Sequence, residues 1–276
     1  MKTVTCLLML VFLGYESKGQ FYFNDILANE QSNKLYTLLK YQKVKKISVK
    51  NFNADNQSSE GFALEQAFDD NWNTMTTTSS TIAGNASTLI TTYKNNRVAA
   101  TQETNKGISI KSKYEYDEKG RLLSIASVTT DTAYKYQASE KHIWVYTNDR
   151  PSIMYKIKNG ADTTIIELVK DDKNNIAEEH WKYKGKELEV YYYYYNDQNK
   201  LTDVVRFNQR AKRLLPDFTF EYNDTGNLTQ MTQIPANSSN YMVWQYRYNP
   251  NGLKQSELCY NKQKELVGRV EYIYLQ

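Results

Sequence analysis

The sequence predicts an all-β protein, built as an antiparallel meander of repeated β-hairpins that forms an extended twisted or spiralling sheet, with one short N-terminal helix. Two observations lead to this fold class. Tyrosine is unusually frequent, with 24 residues among 276, and its apolar ring and polar hydroxyl suit a half-buried strand. A strand-and-turn unit also recurs about every 26 residues from residue 90 onward, a spacing typical of repeat proteins.

Residues 1–19 have the features of a secretory signal peptide. Lys2 is followed by an apolar run from Val4 to Leu13 and then by small and polar residues. We expect cleavage between Gly19 and Gln20, which leaves residues 20–276 as a single all-β domain. The apolar run is too short for an ordinary membrane anchor, although an uncleaved anchor is the alternative. The expected location is the periplasm, the outer-membrane surface or the extracellular space, without integration into the membrane.

Cysteine usage and charge exclude some functional classes. Cys6 lies in the apolar run, so the mature chain keeps only Cys259, which we expect to be a packed strand residue. Without an internal disulfide, an exported protein of this size depends on its core for stability. The net charge of +4 is too small to indicate a nucleic-acid partner.

The N-terminal part, residues 20–90, is predicted to contain the helix and the first strands. Within residues 24–42, Leu35, Leu38 and Leu39 fit one helical face, and Asn24 or Asp25 is placed to cap the helix. We expect this helix to cover one end or face of the sheet, because open edges need protection. Strands are predicted at residues 44–52, 60–68, 72–78, 88–93 and 98–103, with loops at residues 53–59 and 79–87.

Residues 90–275 are predicted to form the hairpin repeats. Each unit begins with residues two apart, mostly aromatic, which fall on one face of a strand. An Asp or Asn then accepts hydrogen bonds from backbone N–H groups and starts a turn. A Gly or Asn four residues past the second aromatic tolerates the positive φ of a type I turn closed by a bulge. The copies occupy residues 91–98, 114–122, 144–149, 168–176, 193–201, 220–228 and 246–253.

The segment from Tyr114 to Leu122 reads Y-E-Y-D-E-K-G-R-L, and it resembles the YD (tyrosine–aspartate) repeat of Rhs-type proteins. Other copies depart from this form: Asn replaces Asp at positions 196, 223 and 249, and Lys replaces Tyr at position 170. The resemblance implies hairpin geometry over residues 90–275 and nothing catalytic. Large Rhs proteins are known for hollow β-shells that enclose a toxin, but we expect neither a shell nor a toxin domain here. The chain also looks like uncharacterised envelope proteins of Bacteroidota-type bacteria.

The sequence offers no convincing catalytic or metal-binding set. His142 and His180 lie in predicted strands, and with one cysteine they do not form a zinc spacing. Glu178-Glu179-His180 and Asp171-Asp172 could supply acid–base groups, but adjacent strand residues face opposite sides of a sheet and do not converge on one substrate. We therefore expect a protein that is not an enzyme and that has no cofactor or metal.

Aromatic and basic residues provide the candidate binding surfaces. In the run Tyr191–Tyr195, alternate residues face opposite sides, and cross-strand packing is the simpler explanation. The other is an aromatic surface for a sugar or a protein partner. Its candidate residues are Tyr192, Tyr194, Trp144, Trp181 and Trp244, with Trp72 as a further contributor. Two basic clusters, Lys43–Lys50 and Arg206, Arg210, Lys212 and Arg213, suit solubility and edge protection, or contact with acidic glycans or lipid headgroups.

Three functional hypotheses follow from these observations. The favoured one is a non-catalytic exported envelope protein, a scaffold or binding module that presents aromatic-rich hairpins to a glycan or protein partner. The second is a glycan-active hydrolase that uses two carboxylates from different strands. The third, suggested by the Rhs resemblance alone, is an accessory component of a secretion or toxin-delivery system.

Overall fold

The computed structural model describes residues 21–59, 61–80, 86–235 and 238–276, and the predicted signal peptide lies outside these ranges. Within these ranges, one helix precedes a succession of eighteen strands. The elements are α1 (Asn24–Tyr41), β1 (Lys46–Asn53), β2 (Ala63–Phe68), β3 (Thr74–Ser80), β4 (Ala86–Lys94), β5 (Arg97–Asn105), β6 (Ile108–Tyr116), β7 (Leu122–Asp131), β8 (Tyr136–Thr147), β9 (Arg150–Lys158), β10 (Asp162–Lys170), β11 (Ile176–Tyr183), β12 (Lys186–Tyr195), β13 (Leu201–Asn208), β14 (Arg213–Tyr222), β15 (Leu228–Gln233), β16 (Met242–Tyr248), β17 (Lys254–Asn261) and β18 (Leu266–Leu275).

The sheet is a closed barrel. Each strand pairs antiparallel with the next, and β1 also pairs along its whole length with β18, from Lys46 opposite Leu275 to Asn53 opposite Gly268. The all-β meander with one helix is therefore confirmed, but the extended or spiralling sheet is wrong. Closure satisfies the backbone groups of the first and last strands, which an open sheet would leave unpaired.

Side chains alternate between the interior and the outer wall of the barrel. Large apolar residues fill much of the interior, and the fully buried ones include Trp144, Met154, Ile166, Tyr191 and Val204. The single cysteine of the described residues, Cys259, is buried in a strand, as the sequence predicted. The outer wall carries oppositely charged pairs, such as Lys182 with Glu167.

Helix α1 lies at one end of the barrel, which we call the helix end. Tyr36 stacks on Tyr93 with ring centroids 3.9 Å apart, and the Leu39 side chain is buried. Leu35 remains exposed, so the three predicted leucines do not share one buried face. The predicted cap is also wrong, since Phe23 precedes the helix without a side-chain cap. Within the described ranges, no helix combines the length and apolarity needed to cross a bilayer.

The hairpin turns at the helix end have the predicted geometry. Residues Gly120, Asn174, Asn199, Gly226 and Gly252 all adopt a positive φ, and the ladder register shifts beside each of these turns. The turn side chain accepts a backbone hydrogen bond where predicted, as from Arg121 N–H to Asp117 Oδ1 at 2.8 Å. This turn chemistry was therefore readable from the sequence.

The second aromatic of the repeat ties neighbouring strands together at the helix end. Its hydroxyl donates a hydrogen bond of 2.7–2.9 Å to a backbone carbonyl at the start of the preceding strand. Lys170 replaces this tyrosine in one copy, and its Nζ donates to the Thr147 carbonyl at 3.0 Å. The hydrogen-bonded pairs are Tyr116 with Val98, Tyr146 with Leu122, Tyr195 with Ile176, Tyr222 with Leu201, Tyr248 with Leu228 and Tyr274 with Lys254.

Candidate functional sites

The tyrosine run of β12 divides between the two sides of the barrel wall. Tyr191 and Tyr193 are buried in the interior, where both rings lie near the ring of Phe21. Tyr192 and Tyr194 therefore face outward, and Tyr194 is 49% exposed. The outer wall thus presents two of the predicted aromatic residues side by side.

The three predicted tryptophans lie in the interior and do not extend this outer surface. Trp144 is buried against the core, and Trp244 faces inward, because its cross-strand partners Met231 and Cys259 are buried. Trp181 donates from Nε1 to the buried carboxylate of Glu179 at 2.6 Å. The five candidate residues therefore do not form one surface, because their strand positions place them on opposite sides of the wall.

A charged cluster adjoins the outward tyrosines. His180 lies between two carboxylates, with Nε2 at 2.6 Å from Glu178 and Nδ1 at 2.9 Å from Glu187. Partial burial lowers the pKa of His180, but these two carboxylates raise it more, so the net pKa lies above its usual value. Glu178 is paired with Tyr192 across the strands. We call Glu178, His180, Glu187, Tyr192 and Tyr194 the outer-wall cluster.

A shallow groove of about 530 Å³ continues the outer-wall cluster toward the far end of the barrel. Its wall residues include Ile165, Glu167 and Lys182, and Glu167 is the cross-strand partner of His180. Groove and cluster therefore form one continuous outer face across β10, β11 and β12. This face combines exposed rings with carboxylate acceptors.

A second group of polar residues is buried inside the barrel around Glu179. Its carboxylate is completely buried and accepts four hydrogen bonds: from Tyr22 N–H, Phe23 N–H, Trp181 Nε1–H and Tyr193 O–H, at 2.6–2.8 Å. Burial raises the pKa of Glu179, while these donors oppose that change. Because every donor belongs to the chain itself, this group anchors the segment before α1 to the wall.

His142 makes the second polar connection between the helix and the wall. Its Nδ1 lies 2.6 Å from Asp25 and its Nε2 lies 2.8 Å from Glu140. Burial lowers the pKa of His142, but the two carboxylates raise it to about 9. The imidazole is therefore protonated at neutral pH and forms ion pairs with both partners. The neighbouring Lys156 donates to the Tyr22 hydroxyl at 2.6 Å.

The predicted basic cluster around Arg206 separates into two environments. Arg206 points inward and forms ion pairs with Asp217 at 2.7 Å and Glu189 at 3.3 Å. Burial raises the pKa of Asp217 to about 6, although Arg206 opposes this shift. Arg210, Lys212 and Arg213 lie instead in the exposed β13–β14 turn and at its edge. Proximity in the sequence could not separate Arg206 from the other three residues, because it does not show that the chain leaves β13 and enters a turn between them.

The described residues give limited scope for metal chemistry. Over residues 21–59, 61–80, 86–235 and 238–276, no group of three or more His, Cys, Asp or Glu side chains is arranged to hold a metal ion.

Sequence reasoning missed the role of Glu179. Its signal was strand parity: in Glu178-Glu179-His180, the middle residue must face away from its neighbours.

Comparisons with known proteins show similarity of low degree. No protein-family profile matches the chain, and no curated protein matches it. A porin-like protein from Bacteroides uniformis is 11% identical, with a TM-score of 0.39, over 84% of this chain and 96% of that one. The TcdB2-TccC3-Cdc42 complex is 10% identical, and a Photorhabdus luminescens Tc holotoxin pore 9%, with TM-scores of 0.24 and 0.22. Each match spans 78% of this chain and 16% of the toxin chain.

Proposed function

We propose that this protein is a non-catalytic, exported binding module of the bacterial envelope that holds a neutral glycan on its outer wall. The observation that carries this proposal is the outer-wall cluster, in which Tyr192 and Tyr194 lie beside a histidine held between two carboxylates. An exposed ring offers an apolar face to a sugar ring, and carboxylates accept hydrogen bonds from hydroxyl groups.

The charges of the cluster favour a neutral ligand over an acidic one. Glu178 and Glu187 flank His180, and Asp203 is the cross-strand partner of Tyr194. A polyanion would meet these carboxylates at close range and would be repelled. The groove beside Lys182 extends the contact area beyond the two rings.

The test is co-sedimentation of the exported protein with insoluble cell-wall glycan, with capsular polysaccharide and with outer-membrane vesicles, each at low and high salt. We expect the protein to sediment with one of the glycan fractions and to remain bound to it at high salt. The double variant Tyr192→Thr with Tyr194→Thr should lose at least about tenfold in affinity for the glycan. Each ring that the bound glycan covers contributes about 1 kcal/mol or more to the binding free energy. Threonine keeps the strand preference of these positions.

A matched control keeps this test specific. Tyr260 faces outward on β17, opposite Val243 of β16, and Tyr41 is exposed at the end of α1. The double variant Tyr41→Thr with Tyr260→Thr should bind the glycan as the unaltered protein does. An equal loss of glycan affinity in both double variants would contradict the proposal. Cleavage of the glycan, measured as new reducing ends, would also contradict it and would favour the hydrolase.

A further inference from the structure

The turns at the far end of the barrel, opposite α1, carry an excess of basic side chains. We call the described residues of these turns the far rim; they lie between β1 and β2, β5 and β6, β7 and β8, and so on to β17 and β18. The acidic residues in and beside the described parts of the far rim are Asp55, Asp131, Asp162 and Glu265. The basic residues are Lys106, Lys135, Lys158, Lys184, Lys186, Arg210, Lys212, Arg213, Lys262 and Lys264.

Five of these lysines occupy backbone positions that disfavour them. Lys106, Lys135, Lys184, Lys212 and Lys264 have φ between +43° and +64°, a region that Gly and Asn adopt more readily than lysine. At the helix end, positive φ in the hairpin turns falls on Gly, Asn or Asp, apart from Trp72 in the β2–β3 turn, and one lysine with positive φ, Lys43, lies in the link between α1 and β1. The far rim therefore keeps lysine where local conformation favours another residue.

Edge protection and ion pairing do not account for these lysines. A lysine on an open strand edge would guard against aggregation, but the described strands close into a barrel and leave no edge open. Lys184 lies 5.1 Å from the ring centroid of Tyr183. The other four form no ion pair with any residue in the described part of the chain. Backbone strain that is retained with neither an ion pair nor an edge to protect points to a function of the charge.

Exposed apolar side chains accompany the basic residues at this end. They lie in the far-rim turns or within a few residues of them, and they are between 41% and 84% exposed. Aromatic and aliphatic residues among lysines are typical of surfaces that contact the headgroup region of a bilayer. These residues are Ile108, Tyr134, Tyr136, Leu188, Phe207 and Leu214.

We propose that the far rim docks the barrel, end-on and reversibly, onto an anionic phospholipid bilayer. The rim charges lie around a ring, so a planar surface can meet many of them at once, whereas a single linear polyanion would follow only part of the ring. The lysines approach the negative headgroups, and the exposed apolar residues enter the interfacial layer. Tyr192 and Tyr194 of the outer-wall cluster lie in the half of β12 nearer the helix end and stay accessible to a glycan. The groove, lined in part by Lys184 and Gly185, opens at the far rim and would be covered by the bilayer.

The test uses vesicles of phosphatidylcholine with or without 30% phosphatidylglycerol. The rim variant combines Lys106→Asn, Lys135→Asn, Lys184→Asn, Lys212→Asn and Lys264→Asn. Asparagine suits positive φ better than lysine does, so the rim variant should melt at the same temperature as the unaltered protein or higher. Its binding to the anionic vesicles should fall by more than about 30-fold, because five lysines that attract the negative headgroups are removed.

The control removes the same charge from other parts of the barrel. The five lysines that the control variant replaces are exposed and lie outside the far rim. This control should lose less than about threefold in vesicle affinity. The substitutions are Lys50→Gln, Lys94→Gln, Lys111→Gln, Lys113→Gln and Lys141→Gln.

Three results would overturn the proposal. The first is that the unaltered protein does not bind anionic vesicles at 150 mM salt. The second is equal loss in the rim variant and the control, which would make net charge alone responsible. The third is binding to polygalacturonate without binding to vesicles, which would assign the far rim to an acidic glycan. The variant altered at Tyr192 and Tyr194 should bind vesicles as the unaltered protein does. Failure of the glycan proposal can therefore be distinguished from failure of the membrane proposal.

Discussion

The Tyr193 hydroxyl donates to Glu179 Oε2 at 2.6 Å, and the same oxygen accepts from Phe23 N–H at 2.8 Å. A single buried carboxylate therefore joins β11, β12 and the segment that leads into α1. Glu179→Ala leaves four donors without an acceptor, and we expect it to lower the free energy of unfolding by about 3–5 kcal/mol. Urea denaturation followed by tryptophan fluorescence measures this loss.

The adjacent residue provides the control for that prediction. Glu178 faces the outer wall, and its side chain is 37% exposed, so Glu178→Ala should cost less than about 1 kcal/mol. Similar losses in the two variants would contradict the anchoring role of Glu179.

The ion pairs of His142 predict a pH dependence of stability. The folded pKa of about 9 lies above the unfolded value of about 6.5, so the protonated imidazole stabilises the fold. This contribution is complete below pH 6.5 and is lost as the pH rises through 9. We expect the free energy of unfolding to fall by about 2–3 kcal/mol between pH 6.5 and 9.5, measured by urea denaturation.

The variant His142→Gln isolates this effect from other titrating groups. The groups around the imidazole are Asp25 and Glu140, with Lys156 and Tyr22 beside them. The stability of His142→Gln should fall much less over the same interval, and the decline that remains includes the part from His180, whose net pKa also lies above its usual value. A parallel decline in both proteins would assign the pH dependence to other residues.

The repeat was readable from the sequence because its signals are local. An Asp or Asn followed by a positive-φ residue fixes each turn, as at Asp117 and Gly120. Closure was not readable, because the pairing of Lys46 with Leu275 joins residues at opposite ends of the chain. The inward direction of Trp181 also depends on which side of the sheet becomes the core, and parity alone does not specify that side.

The tyrosine hydroxyls at the helix end should each contribute modestly and independently. Tyr222→Phe removes only the hydrogen bond to the Leu201 carbonyl, and we expect a loss of about 1 kcal/mol in the free energy of unfolding. Tyr116→Phe should cost more, because the Tyr116 hydroxyl also accepts from Asn29 Nδ2 at 2.8 Å. Urea denaturation of the two single variants and the double variant tests this, and these positions on well-separated strands should be additive.

Two glycines with similar φ values allow backbone strain to be measured separately from steric contact. Gly120 has φ +80°, and a Cβ there would overlap the guanidinium of Arg97, whereas Gly185 has φ +77° with no atom within 4 Å of such a Cβ. Gly185→Ala should therefore cost about 1 kcal/mol from backbone strain alone. Gly120→Ala should cost about 1 kcal/mol more, because Arg97 must leave its position 5.6 Å from the Tyr116 ring, where a cation–π contact stabilises it. Thermal denaturation of both variants in an Arg97→Gln background provides the decisive comparison: the difference between them should disappear there, and its persistence would show that the Arg97 contact is not its cause.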